Sequence, residues 1–181
     1  MTKFLQSEID VKLTAEPWIP GEVRAWIGGS LAYLQTEAQV LVDDYWAQLK
    51  NKRAGKKAYE IGRIGVRLRS RETGSFSIEW FRMGKLGNGK GIATRGFRKG
   101  RAHMYSVDHM LTREPEWLGD LVRSSEQVFS EIRKKQMLLA EIRNALAEYA
   151  SHVSGKPVTA AMLVGEFLPA GNQRPKKEEA A

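Results

Sequence analysis

The chain has 181 residues, with 29 Lys and Arg against 21 Asp and Glu, and no Cys. That length suits a single globular domain, and 42% hydrophobic with 28% charged residues supplies enough apolar matter for a packed core. The missing Cys excludes disulfides, thiol nucleophiles and Cys-containing zinc sites, and the formal net charge of +8 directs attention to anionic partners.

Residues 1–20 carry Glu8, Asp10, Lys12 and Glu16 where a signal peptide needs an uninterrupted apolar stretch. No apolar run approaches the ~20 residues of a membrane span, so a cytoplasmic protein without a membrane partner is expected. From Trp26, residues Ile27, Leu31, Leu34, Ala38, Leu41 and Tyr45 recur at spacings of three and four, with Val42, Trp46 and Leu49 widening the stripe. This predicts a helix over about 26–53, ended by Ala54 and Gly55. The pair Gly28 and Gly29 predicts a broken first turn, with Ser30 as a candidate N-cap.

The period then changes. Ile64, Val66 and Leu68 alternate with Arg63, Gly65, Arg67, Arg69 and Arg71, and Phe76, Ile78 and Trp80 alternate with Ser77, Glu79 and Phe81. Glu72, Thr73 and Gly74 lie between as a turn signal, so the two runs read as a β-hairpin. Further strands are expected at Ile92–Arg98 and His103–Val107. A second long helix is predicted over about 114–153, with Pro115 near its first turn and a stripe of Leu118, Val122, Phe129, Ile132, Leu139, Ile142, Leu146 and Tyr149. A short helix over Thr159–Phe167 and a disordered tail over 171–181 complete the reading. The expected fold is α+β: a long N-terminal helix, a basic antiparallel meander of three or four strands within about 59–107, and a long C-terminal helix, all in one domain over 1–170. The two stripes are expected to close on each other within the chain or across a homodimer.

The charge is unevenly spread. Residues 1–49 hold 3 Lys/Arg against 7 acids, residues 50–101 hold 16 against 3, and residues 102–181 hold 10 against 11. The middle third therefore carries a net +13, and it also holds 10 of the 17 Gly. Alternate strand residues lie about 6.6 Å apart, so Arg63, Arg67, Arg69 and Arg71 are expected to line one surface as fork-shaped donors matched to phosphate. Arg82, Lys85, Lys90, Arg95, Arg98, Lys99 and Arg101 extend the candidate nucleic-acid-binding set. A merely solvated face would normally intersperse both signs. Double-stranded DNA is the expected partner, since a two-stranded ribbon fits the major groove.

Enzyme chemistry finds no support. The loop Gly84–Gly91 nearly satisfies the phosphate-binding pattern G-x-x-x-x-G-K-[ST], but Gly91 stands where the magnesium-binding hydroxyl belongs, and the residues after it read as extended. His103 and His109 are six apart and His152 is remote, so no metal pair is expected, and no cofactor is called for. Asp43 and Asp44 have no paired partner for acid–base work. Trp46, Trp80 and Trp117 fall on apolar stripes and read as core. Phe81 and Phe97 could stack on bases, although packing is the simpler role.

Asp44, Tyr45 and Trp46, the basic Gly-rich stretch, the run Ser77, Ile78, Glu79, Trp80, Phe81 and Arg82, then Tyr105, Glu116, Trp117 and the run Phe129–Arg133 together resemble the MobI-type conjugative transfer proteins of mobile plasmids and integrative elements. The resemblance spans about residues 40–150. It implies a DNA-binding relaxosome factor at the origin of transfer, partnered with a separate relaxase that performs the nicking, and it assigns no binding residue. The alternatives are a nucleoid or RNA-binding protein, an NTP-dependent enzyme built on the 84–91 loop, or a coiled-coil adaptor.

Overall fold

The computed structural model describes residues 21–57, 60–71, 75–85, 92–100 and 103–163. In chain order these form α1 (Gly21–Arg53), β1 (Ile64–Ser70), β2 (Phe76–Lys85), β3 (Ile92–Gly96), α2 (Val107–Leu111), α3 (Leu118–Ser154) and a 3-10 turn at Ala160–Leu163. The strands make one antiparallel sheet in the order β1-β2-β3. The fold is α+β, with long helices before and after the sheet. At 1.5 Å per residue, the 37 residues of α3 span about 55 Å. Each long helix is stopped by a glycine in the left-handed region, Gly55 at φ 74° and Gly155 at φ 63°, a conformation that costs a Cβ-bearing residue about 1 kcal/mol.

The chain divides into two compact units. One comprises Met1–Ser30 with Ala140–Ala181. Among its described residues, Ala147, Ala150 and Leu163 form a small core, against which Val23, Leu146, Val158 and Ala160 pack.

The other unit, Leu31–Leu139, holds the sheet and the main core. Leu34, Ala38, Val42, Tyr45 and Leu49 of α1 meet Ile64, Val66, Phe76, Ile78 and Trp80 of the sheet and Leu118, Leu121, Val122, Phe129 and Ile132 of α3. Trp80 is fully buried, with Tyr45 edge-on at 5.1 Å and Phe129 at 5.7 Å. Period-2 burial from β1 and β2 and period-3.6 burial from the helices thus converge on one indole. Leu41 and Leu139 both pack on this core, so much of the two stripes closes within one chain.

Helix α1 also serves the exposed edge of β1. The carbonyls of Gly62, Ile64 and Val66 point away from β2, and each accepts a side-chain donor: Arg53 Nε at 3.1 Å, the Tyr45 hydroxyl at 3.0 Å and Trp46 Nε1 at 2.9 Å. An edge strand left bare would be a template for pairing with another chain. Burial pushes the Tyr45 phenol well above the ordinary tyrosine value of 10.0, and burial raises Tyr105 as well. A phenol whose pKa is raised by folding contributes stability that is intact below the unfolded value and lost as pH climbs toward the folded one. Stability should therefore hold to about pH 10 and fall above it. In Tyr45→Phe the alkaline fall should be shallower, from a starting stability lower by about 1 kcal/mol for the lost hydrogen bond. Urea midpoints across pH 8–11.5 measure both, and an unchanged alkaline slope in the variant would contradict the assignment.

Opposite β2, α3 carries a buried charge. Glu126 and Arg133 are ion-paired and almost fully buried. Glu126 accepts from Trp80 Nε1 (2.6 Å) and the Tyr105 amide (2.7 Å), while Arg133 donates from Nε to His103 O (2.5 Å) and lies over the Tyr105 ring at 5.0 Å.

Four sequence expectations are corrected. Helix α1 begins at Gly21 and runs unbroken through Gly28 and Gly29, because the packing of Val23 and the full burial of Ile27 offset the roughly 1 kcal/mol that each helical glycine costs. Residues 103–106 form no strand; α3 side chains take their backbone groups, and the chain turns into α2 at Val107. Strand β3 stops at Gly96, short of Arg98, although the Phe97 amide still reaches Trp80 O at 2.9 Å. Helix α3 starts at Leu118, because residues 115–117 form a lead-in turn closed by Leu118 N to Pro115 O at 3.0 Å. Of the terminal helix expected over Thr159–Phe167, the described part is the 3-10 turn, and residues 164–167 and the tail lie outside the described residues.

Candidate nucleic-acid interface

The sheet register sorts the candidate cations onto two faces. Arg67 pairs with Glu79, Arg69 with Ser77 and Gly65 with Phe81, whereas Ile64 pairs with Arg82 and Arg82 with Arg95. Registered antiparallel partners share a face. Arg67 and Arg69 therefore lie on the face turned away from the core, and Arg82 and Arg95 on the face that carries Ile64 and Trp80.

On the outward face, Arg67 donates from Nε (3.0 Å) and Nη2 (2.9 Å) to one oxygen of Glu79, and its guanidinium sits 5.3 Å from the centre of the Phe81 ring. Arg69 Nε lies 3.6 Å from the same carboxylate, with its side chain 60% exposed. Arg71 is exposed, while its amide closes the hairpin on Ser75 O at 2.7 Å. Phe81 is nearly buried under Trp46, as its place in the packing role requires.

Arg63 does not join this row. It precedes the first strand residue, so the pleat does not hold its side chain, and it turns instead to Glu114. The Arg63 amide donates to Glu114 Oε2 at 2.8 Å, and its Nη2 lies 3.5 Å from Oε1. Nη2 also donates to the carbonyl of Arg113 at 3.3 Å; Arg113 adopts a left-handed φ of 66° in the turn after α2. Arg82 meets the same carboxylate at 3.1 Å and donates from Nη2 to Met110 O (2.7 Å) and Thr112 O (2.9 Å).

The remaining candidates differ. Arg95, Arg98 and Lys99 are exposed, and among the described residues no acid pairs with them. The side chain of Lys85, together with Lys90, Arg101 and the 84–91 loop beyond Gly84 and Lys85, lies outside the described residues. Lys56 covers the Trp117 ring at 5.7 Å, and Trp117 Nε1 donates to Glu60 O at 3.0 Å. Among the described residues no group of His, Asp and Glu is placed to hold a metal ion, and no helix is long and apolar enough to cross a membrane.

The acids that select among the arginines, Glu79 and Glu114, were not singled out from sequence. Glu79 had a legible signal, since it alternates onto the face of the strand-one arginines. Glu114 had none, because 51 residues separate it from Arg63.

The family model described as MobI protein matches residues 34–147, well over half of the chain. The chain belongs to the MobI family. Membership makes it a conjugative mobilisation protein, in a family of auxiliary factors that is not a known enzyme family. No curated protein and no solved structure gives a significant match. The matched span takes in the whole sheet and both arginine clusters. Several of the residues by which the chain resembles MobI proteins have structural roles here: Tyr45 and Trp46 cap the β1 edge, Trp80 and Phe129 form the aromatic centre, Glu79 holds Arg67, and Arg133 holds the His103 carbonyl.

Proposed function

We propose that this MobI-family protein binds double-stranded DNA through its basic sheet region, recognises an origin of transfer, and helps position a separate relaxase there. One observation carries the reading: Arg71, Arg95, Arg98 and Lys99 are exposed without an acidic partner among the described residues, while Glu79 and Glu114 are already engaged. Free cations of this kind release condensed counterions when they meet phosphate, which makes affinity fall with salt. The net +13 of residues 50–101 supports the same partner. Arg67 and Arg69 share the one carboxylate of Glu79, and Arg63 and Arg82 share that of Glu114, so each group keeps one net positive charge.

If about five phosphates are contacted, log affinity against log salt should have a slope near −4.5 on B-DNA. The double variant Arg71→Ala, Lys99→Ala removes two contacts and should flatten the slope to about −2.7. Filter binding with duplex, single-stranded and RNA probes at several salt concentrations measures this. Affinity indifferent to salt, or a variant slope equal to that of the wild type, would sink the reading.

A further inference from the structure

Beside β3 and α2 lies a cleft of about 550 Å³, lined by Arg82, Arg95, Gly96, Phe97, Arg98 and His109. Its back wall is rigid. Arg82 is held by the Met110 and Thr112 carbonyls and by Glu114, its guanidinium lies over Phe97 at 5.3 Å, and Phe97 meets His109 edge-on at 6.3 Å. Its mouth is different: Arg95 and Arg98 are exposed and have no acidic partner among the described residues.

The shape and chemistry select one class of guest. A single phosphate is much too small for a cleft in the range of about 300–1,000 Å³ that takes small organic ligands. An intact duplex presents a convex backbone with its bases stacked inside, so it cannot fill a concavity of this kind. A nucleotide turned out of the stack brings both halves of what the cleft offers: phosphate oxygens for the guanidiniums, and a flat base for the planar guanidinium and aromatic surfaces.

Building on the DNA-binding reading, we propose that this cleft receives one unpaired nucleotide of the bound DNA strand. The protein then prefers DNA carrying an unpaired position over continuous duplex, and Arg95 and Arg98 hold that nucleotide by both charge and plane.

The test is fluorescence anisotropy on the full chain with three probes of one sequence: continuous duplex, the same duplex with a single-nucleotide bulge, and the same duplex with a three-nucleotide gap. One stacked base should favour the bulged and gapped probes by roughly tenfold. The variant Arg95→Lys, Arg98→Lys keeps both charges and loses both planes. Any weakening at phosphate is shared by all three probes, so the readout is their ratio, and the variant should lose the roughly tenfold preference for the bulged and gapped probes over continuous duplex. Circular dichroism confirms that it is folded. Equal wild-type affinity for all three probes overturns the cleft proposal and leaves DNA binding standing, as does a Lys variant that retains the preference. Failure to bind any probe removes the underlying reading as well. Free dTMP that binds as tightly as the gapped probe would assign the cleft to a mononucleotide and overturn the strand as its source.

Discussion

Glu126→Ala should lower the unfolding free energy by about 3–5 kcal/mol, the usual penalty for stripping one partner from a buried ion pair. The carboxylate is 2% exposed and the guanidinium of Arg133 is 4% exposed, so removing the acid leaves a buried cation that water cannot reach. It also orphans two neutral donors, the Trp80 indole N–H and the Tyr105 amide, each worth about 1–3 kcal/mol when unsatisfied. For a chain of this size, that loss corresponds to a midpoint lower by roughly 6–20 °C. The double variant Glu126→Leu, Arg133→Met removes both charges and should lose much less than the sum of the single variants, because no buried charge remains uncompensated. Urea denaturation of the wild type, Glu126→Leu, Arg133→Met and the double variant closes the cycle. A single-variant loss below 1 kcal/mol, or additive losses, would show that the pair is solvated in solution.

Gly65→Val tests a contact whose sign opposes local propensity. Valine is favoured and glycine disfavoured inside a strand, so intrinsic preference alone makes this substitution stabilising by several tenths of a kcal/mol up to about 1 kcal/mol. The packing says otherwise. A Cβ at position 65 would lie 2.7 Å from Phe81 Cζ and 2.9 Å from Trp46 Cη2. Neither ring can readily give way. Phe81 is 7% exposed and carries Arg67 over its ring, and Trp46 is tied by its N–H to Val66 O. Overpacking of this kind costs about 1–3 kcal/mol, which outweighs the propensity gain, so net destabilisation is expected. In a Phe81→Ala background, which removes the closer ring and leaves Trp46 at 2.9 Å, the same substitution should destabilise by clearly less. Equal destabilisation in both backgrounds would show that Phe81 is not what resists the side chain.

Much of the architecture could be read from local pattern. The 3.6-residue stripes through Leu34, Ala38 and Tyr45 and through Val122, Phe129 and Ile132, and the alternation of Ile64 and Val66 with Arg67, lie within single elements, where side-chain period directly reports the buried face. Gly55 and Gly155 likewise announce their helix ends from within the chain. The charge surplus of residues 50–101 is a property of composition, and the resemblance to MobI proteins was already carried by dispersed aromatics within residues 34–147.

What the tertiary structure alone decided is which charges are free. Arg63 and Glu114 are 51 positions apart and Trp80 and Glu126 are 46 apart, and no periodicity reaches across such distances. Folding spends Glu79 on Arg67 and Arg69 and Glu114 on Arg63 and Arg82, leaving Arg95 and Arg98 at the mouth of a cleft whose lining comes from β2, β3, the segment after β3 and α2. The same long-range contacts overrule local signals: α3 side chains bind the backbone of residues 103–105 in place of a fourth strand, and packing carries α1 through Gly28 and Gly29. Period and composition are local quantities, whereas ion pairing, cleft shape and steric fit depend on which segments meet, and that is settled only when the sheet closes between its two helices.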